Sequence, residues 1–320
     1  MRAVIIHNPS SGTHDHRSGL AGALDALRER GWEITWRETQ AGGDATRFAR
    51  EAAEKGFDAA FGVGGDGTLN EVLNGLLESD TALGVLPFGT ANVWALEMGI
   101  PLNDLRRAAV MQVESSVRVI DVGMVRGKNI APRAFILSCG AGFDASVIRQ
   151  VEAQRELKRA WGKLYFVGVG VRHALAYRGR RISVTVDGRT FNRRVLLALT
   201  SNAQLYGAVL RVPPDARIDD GLLDVTLLDG ENVLHTAWHF IRLGSGIYEQ
   251  QPDMEHFRGR EIELRGATLP VHVDAEPIGS TPIQIQVKPR ALRVFVPETA
   301  HRGLFITDDS RPVAQQRVVS

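Results

Sequence analysis

The chain has 320 residues and a mass of 35.0 kDa, which is long for one small module and suits two domains that each bury a core. A hydrophobic fraction of 44% and a charged fraction of 23% are typical of a globular chain and exclude wholesale disorder, collagen and coiled-coil rods. The 38 Lys and Arg nearly balance the 37 Asp and Glu, and the net charge of +1 disfavours a tight binder of nucleic acid.

Cysteine usage and hydropathy bear on the compartment. Cys139 is the only cysteine, so no intrachain disulfide can form and we expect a reducing environment. The first apolar stretch is too short for a signal-peptide core, and no run reaches the roughly 18 apolar residues of a membrane span. We therefore expect a cytoplasmic protein that visits a membrane, if at all, from one side.

The first third of the chain alternates short apolar runs with stretches of helical period. The apolar runs are residues 3–6, 32–36, 59–63 and 83–86. Between the last two, Leu69, Val72, Leu73 and Leu76 recur at helical spacing. Strands that alternate with helices predict a doubly wound parallel sheet, with ligands at the carboxyl ends of its strands.

After about Val117 the sequence predicts many short strands instead. They are residues 117–122, 134–138, 182–186, 195–200, 222–228, 262–264, 271–273, 283–287 and 292–296. Asp187-Gly188, between two alternating runs, predicts a two-residue hairpin. This pattern favours an antiparallel sandwich-like or barrel domain.

A helical stretch at about 146–177 interrupts the predicted strands. We therefore predict an α/β nucleotide-binding domain over residues 1–118 and a β-rich lipid-substrate domain, with that helix inserted, over 119–297. The remaining residues, 298–320, are predicted to be a polar, partly disordered tail.

A glycine-rich turn carries the strongest local signal. The segment Gly64-Gly65-Asp66-Gly67-Thr68 follows the third apolar run and opens an amphipathic helix. Glycines let the backbone turn sharply and present N–H groups to an anion, which the helix N-terminus also favours. The turn thus predicts a phosphate cradle. It has no lysine at the helix start, so we expect Asp66 to hold Mg²⁺ against the phosphates.

Small polar turns follow the other predicted strands of this sheet. Asn8-Pro9-Ser10-Ser11-Gly12 follows the first, Thr39 the second and Pro87-Phe88-Gly89-Thr90-Ala91-Asn92 the fourth. Because the carboxyl ends of parallel strands meet at one edge of a sheet, these turns together predict a nucleotide site.

Four later segments continue the pattern: residues 120–123, 139–144, 219–225 and 273–277. Together with the turns at residues 8–12, 64–68 and 86–92, and in chain order, they resemble the diacylglycerol kinase catalytic-domain family. The resemblance is to soluble bacterial lipid kinases related to sphingosine kinases, with an N-terminal fold like that of NAD kinases. It spans nearly the whole chain, whereas NAD kinases and phosphofructokinases share only the glycine-aspartate turn.

The resemblance implies transfer of the γ-phosphoryl group of Mg·ATP to a lipid hydroxyl, in a cleft between the two domains, as part of phospholipid metabolism. It implies that Asp66 binds the nucleotide-bound Mg²⁺, that Asp121 supports it through water, and that Glu276 is the general base. The implied ATP contacts are Asn8, Thr39, Gly64, Gly65, Asp66, Gly67, Thr68, Asn70 and Thr90. The implied ligands of a second, structural Mg²⁺ are Arg217, Asp220 and Leu222, largely through backbone carbonyls.

The expected partners are a nucleotide and a lipid at a membrane surface, with no nucleic acid; a homodimer is left open. Residues 149–194 contain 12 Lys and Arg against 3 Asp and Glu, interleaved with aromatic residues suited to a headgroup interface. This stretch predicts membrane docking. A solvated helix whose aromatic residues belong to the core explains the same pattern equally well.

Two other functions remain open. A kinase of a soluble acceptor such as NAD would share the glycine-aspartate turn but not the later segments in this order. A nucleotide-binding regulator without catalysis is suggested by two departures from the family pattern: Ala275, where relatives carry Gly, and Val93, where many carry Asp. A methyl at 275 favours a negative φ, so Glu276 is expected to be aimed differently.

The identity of the lipid is open too, since diacylglycerol, a long-chain base, phosphatidylglycerol and a prenyl alcohol all offer a primary hydroxyl.

Overall fold

The chain divides into two units. Unit 1 comprises Met1–Val122, Arg217–Asp220 and Lys288–Ser320, and unit 2 comprises Gly123–Ala216 and Gly221–Val287. The structure, a computed structural model, describes residues 1–11, 17–153, 178–207, 210–213, 215–229 and 254–306. Most of the predicted helix, residues 154–177, and the end of the predicted tail, residues 307–320, lie outside this range.

Unit 1 contains the predicted parallel sheet, in the order β2-β1-β3-β4-β17. Strands β3 and β4 are buried over their whole length, which requires that both faces of the sheet are covered. The strands are β1 (Arg2–His7), β2 (Glu33–Glu38), β3 (Ala59–Gly64), β4 (Ala82–Pro87) and β17 (Ile283–Val296).

Helices cover this sheet in two pairs, α1 with α5 and α2 with α3. The second pair approaches closely: a Cβ on Gly75 of α3 would lie 2.4 Å from the carbonyl oxygen of Thr46 and 2.7 Å from Cβ of Ala49. The predicted apolar stripe of α3 is buried as expected. The helices are α1 (Arg17–Glu29), α2 (Asp44–Glu54), α3 (Asp66–Leu76), α4 (Val93–Glu97) and α5 (Leu105–Val113).

Unit 2 is antiparallel in every described strand pair. Its main sheet runs β16-β15-β7-β9-β8-β14-β17, with β12 pairing β9 and β13, and β5 pairing β6. Its strands, besides the end of β5 (Ser116–Gly127) and the start of β17, are β6 (Ile130–Phe135), β7 (Ser138–Gly142), β8 (Arg180–Val186), β9 (Arg189–Ser201), β10 (Leu205–Tyr206), β11 (Leu210–Arg211), β12 (Leu223–Asp229), β13 (Met254–Gly259), β14 (Glu261–Gly266), β15 (Pro270–Val273) and β16 (Glu276–Ser280).

One described helix, α6 (Phe143–Ala153), packs against β7, β15 and β16. The predicted hairpin is confirmed, since β8 and β9 pair up to Val186 and Arg189 around a turn with φ of 45° at Asp187 and 81° at Gly188. The combination of a parallel α/β unit with an antiparallel β unit is the predicted fold class. Among the described residues, no helix is long and apolar enough to cross a membrane.

Three of the predicted strands are wrong in their bounds. The predicted strand over 134–138 is interrupted, because backbone N–H groups of Ile136 and Leu137 bond a distant carboxylate instead of a strand. The predicted strands 283–287 and 292–296 form one strand, β17. Its Arg290 has a φ of 51°, and the carboxylate of Asp121 accepts the N–H of this residue at 2.7 Å, so the strand continues past the irregular position.

Candidate active site

The glycine-rich turn joins β3 to α3. Gly65 is the N-cap of α3 and Asp66 lies in its first turn. A Cβ on Gly64 would lie 2.5 Å from Oγ1 of Thr68, so the chain folds back onto the helix as only glycine allows. The N–H groups of the first helical turn lie at the carboxyl end of β3, where they can bind an anion.

The turn after β4 packs directly against this one. The N–H of Phe88 donates to the carbonyl oxygen of Gly64 at 2.9 Å, and a Cβ on Gly89 would lie 2.4 Å from Cα of Gly65. Asn92 has a φ of 50°, and its side chain bonds both the N–H and the carbonyl of Gly89. The contact between Gly65 and Gly89 therefore leaves no room for a side chain on Gly89.

We predict that Gly89→Ala lowers the free energy of unfolding by about 1–3 kcal/mol, because the new methyl group meets backbone atoms that cannot rotate away. ATP affinity falls with it. Thermal unfolding and ATP titration measure both effects. Gly22→Ala in α1 is the control, since nothing lies within 4 Å of a Cβ there; equal unfolding midpoints for the two variants would contradict the prediction.

The turn after β1 reaches the same helix terminus. Nδ2 of Asn8 donates to Oγ1 of Thr68 at 3.0 Å, and Oδ1 of Asn8 accepts the N–H of Ser10. The N–H of Asn8 donates to the carbonyl of Val63 at the end of β3. Residue Gly12 of the predicted turn lies outside the described residues. The structure thus joins the first turn to the start of α3.

Thr39 follows β2, and its N–H donates to the carbonyl oxygen of His7. The next turn is held by Asp44, whose pKa is lowered to about 2 by a hydrogen bond from Arg47 and by the N–H groups of Gln40 and Ala41. This carboxylate is therefore ionised at neutral pH and fixes the loop that begins at Thr39.

The predicted ATP contacts differ in exposure. Thr90 is exposed, Gly67 is half-buried and Asn70 is 1% exposed, with Nδ2 of Asn74 donating to its backbone oxygen at 2.8 Å. We therefore expect Asn70 to support α3 more than to contact a ligand. The roles of these residues toward ATP stay predictions.

Asp66 is half-buried, and its Oδ1 accepts the N–H of Trp94 at 3.4 Å. Within the described residues, no group of three or more His, Cys, Asp or Glu side chains could hold a metal ion. Mg²⁺ usually binds through one or two carboxylates, with substrate phosphates and waters completing its shell. A single carboxylate beside a phosphate cradle fits that chemistry.

Asp121 lies on β5 and is 1% exposed. Its Oδ1 accepts the N–H of Arg290, and its own N–H donates to the carbonyl of Ile218. These bonds give the residue a structural task in unit 1, while its role near a metal stays a prediction. Arg217 and Asp220 belong to unit 1 and Leu222 to unit 2, and the second metal site likewise stays a prediction.

Glu276 begins β16, directly after the β15–β16 turn. Its carboxylate forms an ion pair with the guanidinium of Arg133 on β6, and its side chain is 40% exposed. Asp274 anchors the turn, because its carboxylate accepts the N–H groups of Ile136, Leu137 and Ser138 at 2.9–3.1 Å. The acid predicted as general base is thus held in place by an ion pair and an anchored turn, and it is reachable by solvent.

The backbone at Ala275 differs from our expectation. Asp274 has a φ of 44° and Ala275 a φ of 65°, so the hairpin keeps the left-handed turn that glycine favours. The expected negative φ at Ala275 is therefore wrong, while the expected change in the direction of Glu276 stays a prediction. The register, which pairs Val273 with Glu276, requires this turn, and the methyl group is strained within it.

We predict that Ala275→Gly raises the free energy of unfolding by about 1 kcal/mol, because glycine removes the left-handed strain and loses only part of this gain to chain entropy. Thermal unfolding measures the change. Gly188→Ala tests the converse in the β8–β9 hairpin, where Gly188 has a φ of 81° and open space around its Cβ. A lower midpoint for Ala275→Gly would contradict the prediction.

The sequence reasoning missed Arg133 and gave no role to Asp274. Arg133 is 143 residues from its partner Glu276, and only the pairing of β5 with β6 explains its place. Asp274 lies within the segment 273–277 that contributes to the family resemblance, two residues before the predicted base, and this proximity was the available signal.

Two family models match the chain. The model described as diacylglycerol kinase catalytic domain matches residues 2–125. The model described as YegS C-terminal NAD kinase beta sandwich-like domain matches residues 137–296. The two matches fall on the parallel sheet and on the antiparallel strands respectively.

Curated proteins and solved structures resemble the chain over most of its length. A diacylglycerol kinase of Bacillus subtilis (strain 168) is 34% identical over 246 residues, covering 76% of this chain and 78% of that protein. One of Staphylococcus aureus (strain bovine RF122 / ET3-1) is 28% identical over 96% of each chain. A Bacillus anthracis structure, 25% identical, aligns with a TM-score of 0.77 over 94% of this chain and 98% of that one.

Proposed function

The chain belongs to the diacylglycerol kinase family and is an ATP-dependent lipid kinase, and from that premise we propose that it phosphorylates the primary hydroxyl of diacylglycerol or a closely related lipid. The supporting observation is the position of Glu276, whose carboxylate forms an ion pair with Arg133 beside the turn that Asp274 anchors. An acceptor hydroxyl needs such a base.

Unit 1 binds ATP in this proposal. The turns after β1, β3 and β4 are bonded to one another through Asn8, Thr68, Gly64 and Phe88, so they form a preorganised cradle. Backbone N–H groups at the start of α3 face the phosphate oxygens, and no rearrangement of the loop is needed at the moment of transfer. Thr39 and Thr90 flank this cradle and contact the nucleotide.

Glu276 accepts the proton of the lipid hydroxyl as its oxygen attacks the γ-phosphorus and ADP leaves. General-base catalysis of this kind contributes about 10²–10⁴-fold to the rate. Arg133 fixes the direction of this carboxylate, and the anchored turn limits its motion. Unit 2 provides the lipid-binding side in this proposal.

Asp66 would hold Mg²⁺, with the water-mediated support of Asp121 that the family resemblance implies. When bound, the ion would offset the negative charge of the phosphate oxygens. A second ion held by Arg217, Asp220 and Leu222 would have a structural task.

The proposed site of membrane association is the basic stretch at 149–194. Its described parts are residues 149–153 and 178–194, and the second includes the exposed side chains of Arg178, Arg180 and Arg181. Each basic residue near an anionic bilayer contributes about 1 kcal/mol to the free energy of membrane binding, and salt screens this attraction. Vesicle sedimentation at rising salt tests the proposal, and salt-independent binding would overturn it.

The decisive experiment for the acceptor is mass spectrometry of a total lipid extract after incubation with the enzyme and labelled ATP. Labelled phosphatidic acid is the expected product. Labelled NADP from a parallel incubation with NAD, and no labelled lipid, would overturn the proposal.

A further inference from the structure

A buried polar cluster lies behind the hairpin that carries Glu276. It consists of His272 on β15, Asp144 in the first turn of α6, and Tyr206 on β10. Nε2 of His272 lies 2.6 Å from Oδ2 of Asp144, and the hydroxyl of Tyr206 donates to the same oxygen at 2.9 Å. His272 is 2% exposed and Asp144 6%. None of the roles assigned above uses this cluster.

Asp144 accepts hydrogen bonds from its neighbours through both carboxylate oxygens. Burial and the nearby charge of Asp144 raise the pKa of Tyr206 well above its usual value, so its hydroxyl keeps its proton and donates. Oδ1 of Asp144 accepts the N–H of Ala145 at 2.6 Å. Both oxygens of Asp144 thus accept hydrogen bonds, and in the tautomer of His272 that carries its proton on Nε2 this atom donates to Oδ2.

The neighbouring strands leave space for the contact between His272 and Asp144. Val271 and Val273 point into the core of unit 2, so the alternation of β15 directs His272 toward the opposite face, on which α6 packs. Gly140 lies opposite His272 on β7, and a Cβ there would lie 2.3 Å from both Oδ2 of Asp144 and Nε2 of His272. Only glycine at position 140 accommodates this contact.

The histidine is not explained by packing alone. Its Nδ1 is buried and has no hydrogen-bond partner among the described residues. A leucine of similar size would leave no polar atom unpaired, so the benefit of the histidine must lie in its bond to Asp144. That bond joins β15 to the start of α6, and His272 lies four residues before Glu276 in the chain.

We propose that His272, held by Asp144 and Tyr206, is a positioning residue that fixes the β15–β16 hairpin on α6 and thereby the aim of Glu276. This inference rests on the proposed role of Glu276 as general base. The Asp274 anchor holds the turn to the segment before β7, and the His272 bond holds the adjoining strand to the helix. With both, the hairpin cannot slide along its neighbours, and a shift of about 1 Å at a catalytic group is sufficient to lower turnover by about 10²-fold.

The test compares His272→Leu with His272→Gln, whose amide N–H can replace the donor at Nε2. We expect His272→Leu to lower kcat by roughly 10- to 100-fold without changing the KM for ATP. We expect His272→Gln to keep most of the wild-type kcat. The matched control is His256→Leu. Nε2 of His256 lies 3.0 Å from Oδ1 of the buried Asp224 in the same unit, but on strands β13 and β12. We expect this variant to keep its kcat.

A double-mutant cycle with Glu276→Gln separates the possible failures. If His272 acts through Glu276, His272→Leu should have no further effect on the residual rate of Glu276→Gln. The positioning role would be overturned if His272→Leu lowered kcat by the same factor in the wild-type chain and in Glu276→Gln. It would also be overturned if His272→Leu and His272→Gln lowered kcat equally. Full activity of Glu276→Gln alone would instead overturn the proposed base, and the positioning role with it. If His272→Leu does not fold, Tyr206→Phe replaces it, and full turnover in that variant counts against the proposal.

Discussion

Glu276→Gln is expected to lower kcat by about 10²–10⁴-fold while ATP binding stays unchanged. Glutamine keeps the shape of the side chain and can still accept a bond from Arg133, but it cannot take up the proton of the acceptor hydroxyl. In the proposed function ATP binds to the turns of unit 1, which this change does not touch. Steady-state kinetics with diacylglycerol in mixed micelles, together with ATP titration, measure the two quantities separately.

The chain offers a closely matched control in Glu255→Gln. The side chain of Glu255 is 41% exposed and pairs with Arg193, as that of Glu276 is 40% exposed and pairs with Arg133. Loss of one surface ion pair changes stability by about 0–1 kcal/mol, and we expect no loss of turnover from this variant. Equal kcat values for Glu276→Gln and the wild-type chain would remove the residue as the base.

Asp66→Asn is expected to lower kcat by roughly 10²–10³-fold and to shift the Mg²⁺ concentration needed for half-maximal rate upward. Asparagine keeps an oxygen that can accept the N–H of Trp94, so the link between the two turns survives and the fold is retained. What is lost is the negative charge at the start of α3. Magnesium titration of the rate, together with thermal unfolding, distinguishes metal binding from stability.

Asp104→Asn is the control for this change. Asp104 is the N-cap of α5, where its side chain accepts the N–H of Arg107, and asparagine caps helices equally well. We expect its rate and its magnesium dependence to match those of the wild-type chain. An unaltered magnesium dependence in Asp66→Asn would show that the carboxylate does not hold the ion.

Local patterns predicted much of unit 1 because its structure is built from neighbours in sequence. The apolar runs became β1, β3 and β4, and the stripe of α3 is buried, since helical and strand periods act over a few residues. The positions of the polar turns followed from the parallel sheet. Patterns of this kind also placed the Asp187-Gly188 hairpin, whose turn chemistry is contained in two residues.

Contacts between distant segments could not be predicted in this way. The ion pair of Arg133 with Glu276 joins residues 143 apart, and the bond of His272 with Asp144 joins residues 128 apart. No spacing in the chain marks such partners, because their meeting depends on the order of strands in the sheet. The left-handed φ of Ala275 belongs to the same class, since strand register overrides the local preference of alanine.

The sequence by itself determined the two-part fold class, the family and the residue types of the predicted phosphate cradle, because these depend on local period and on ordered motifs. Tertiary structure alone decided how the carboxylates are used. Asp274 anchors a turn, Asp121 holds the backbone of Arg290, and Asp144 binds His272 and Tyr206. The physical reason is that the environment of a carboxylate, its burial and its donors, comes from segments that only folding brings together.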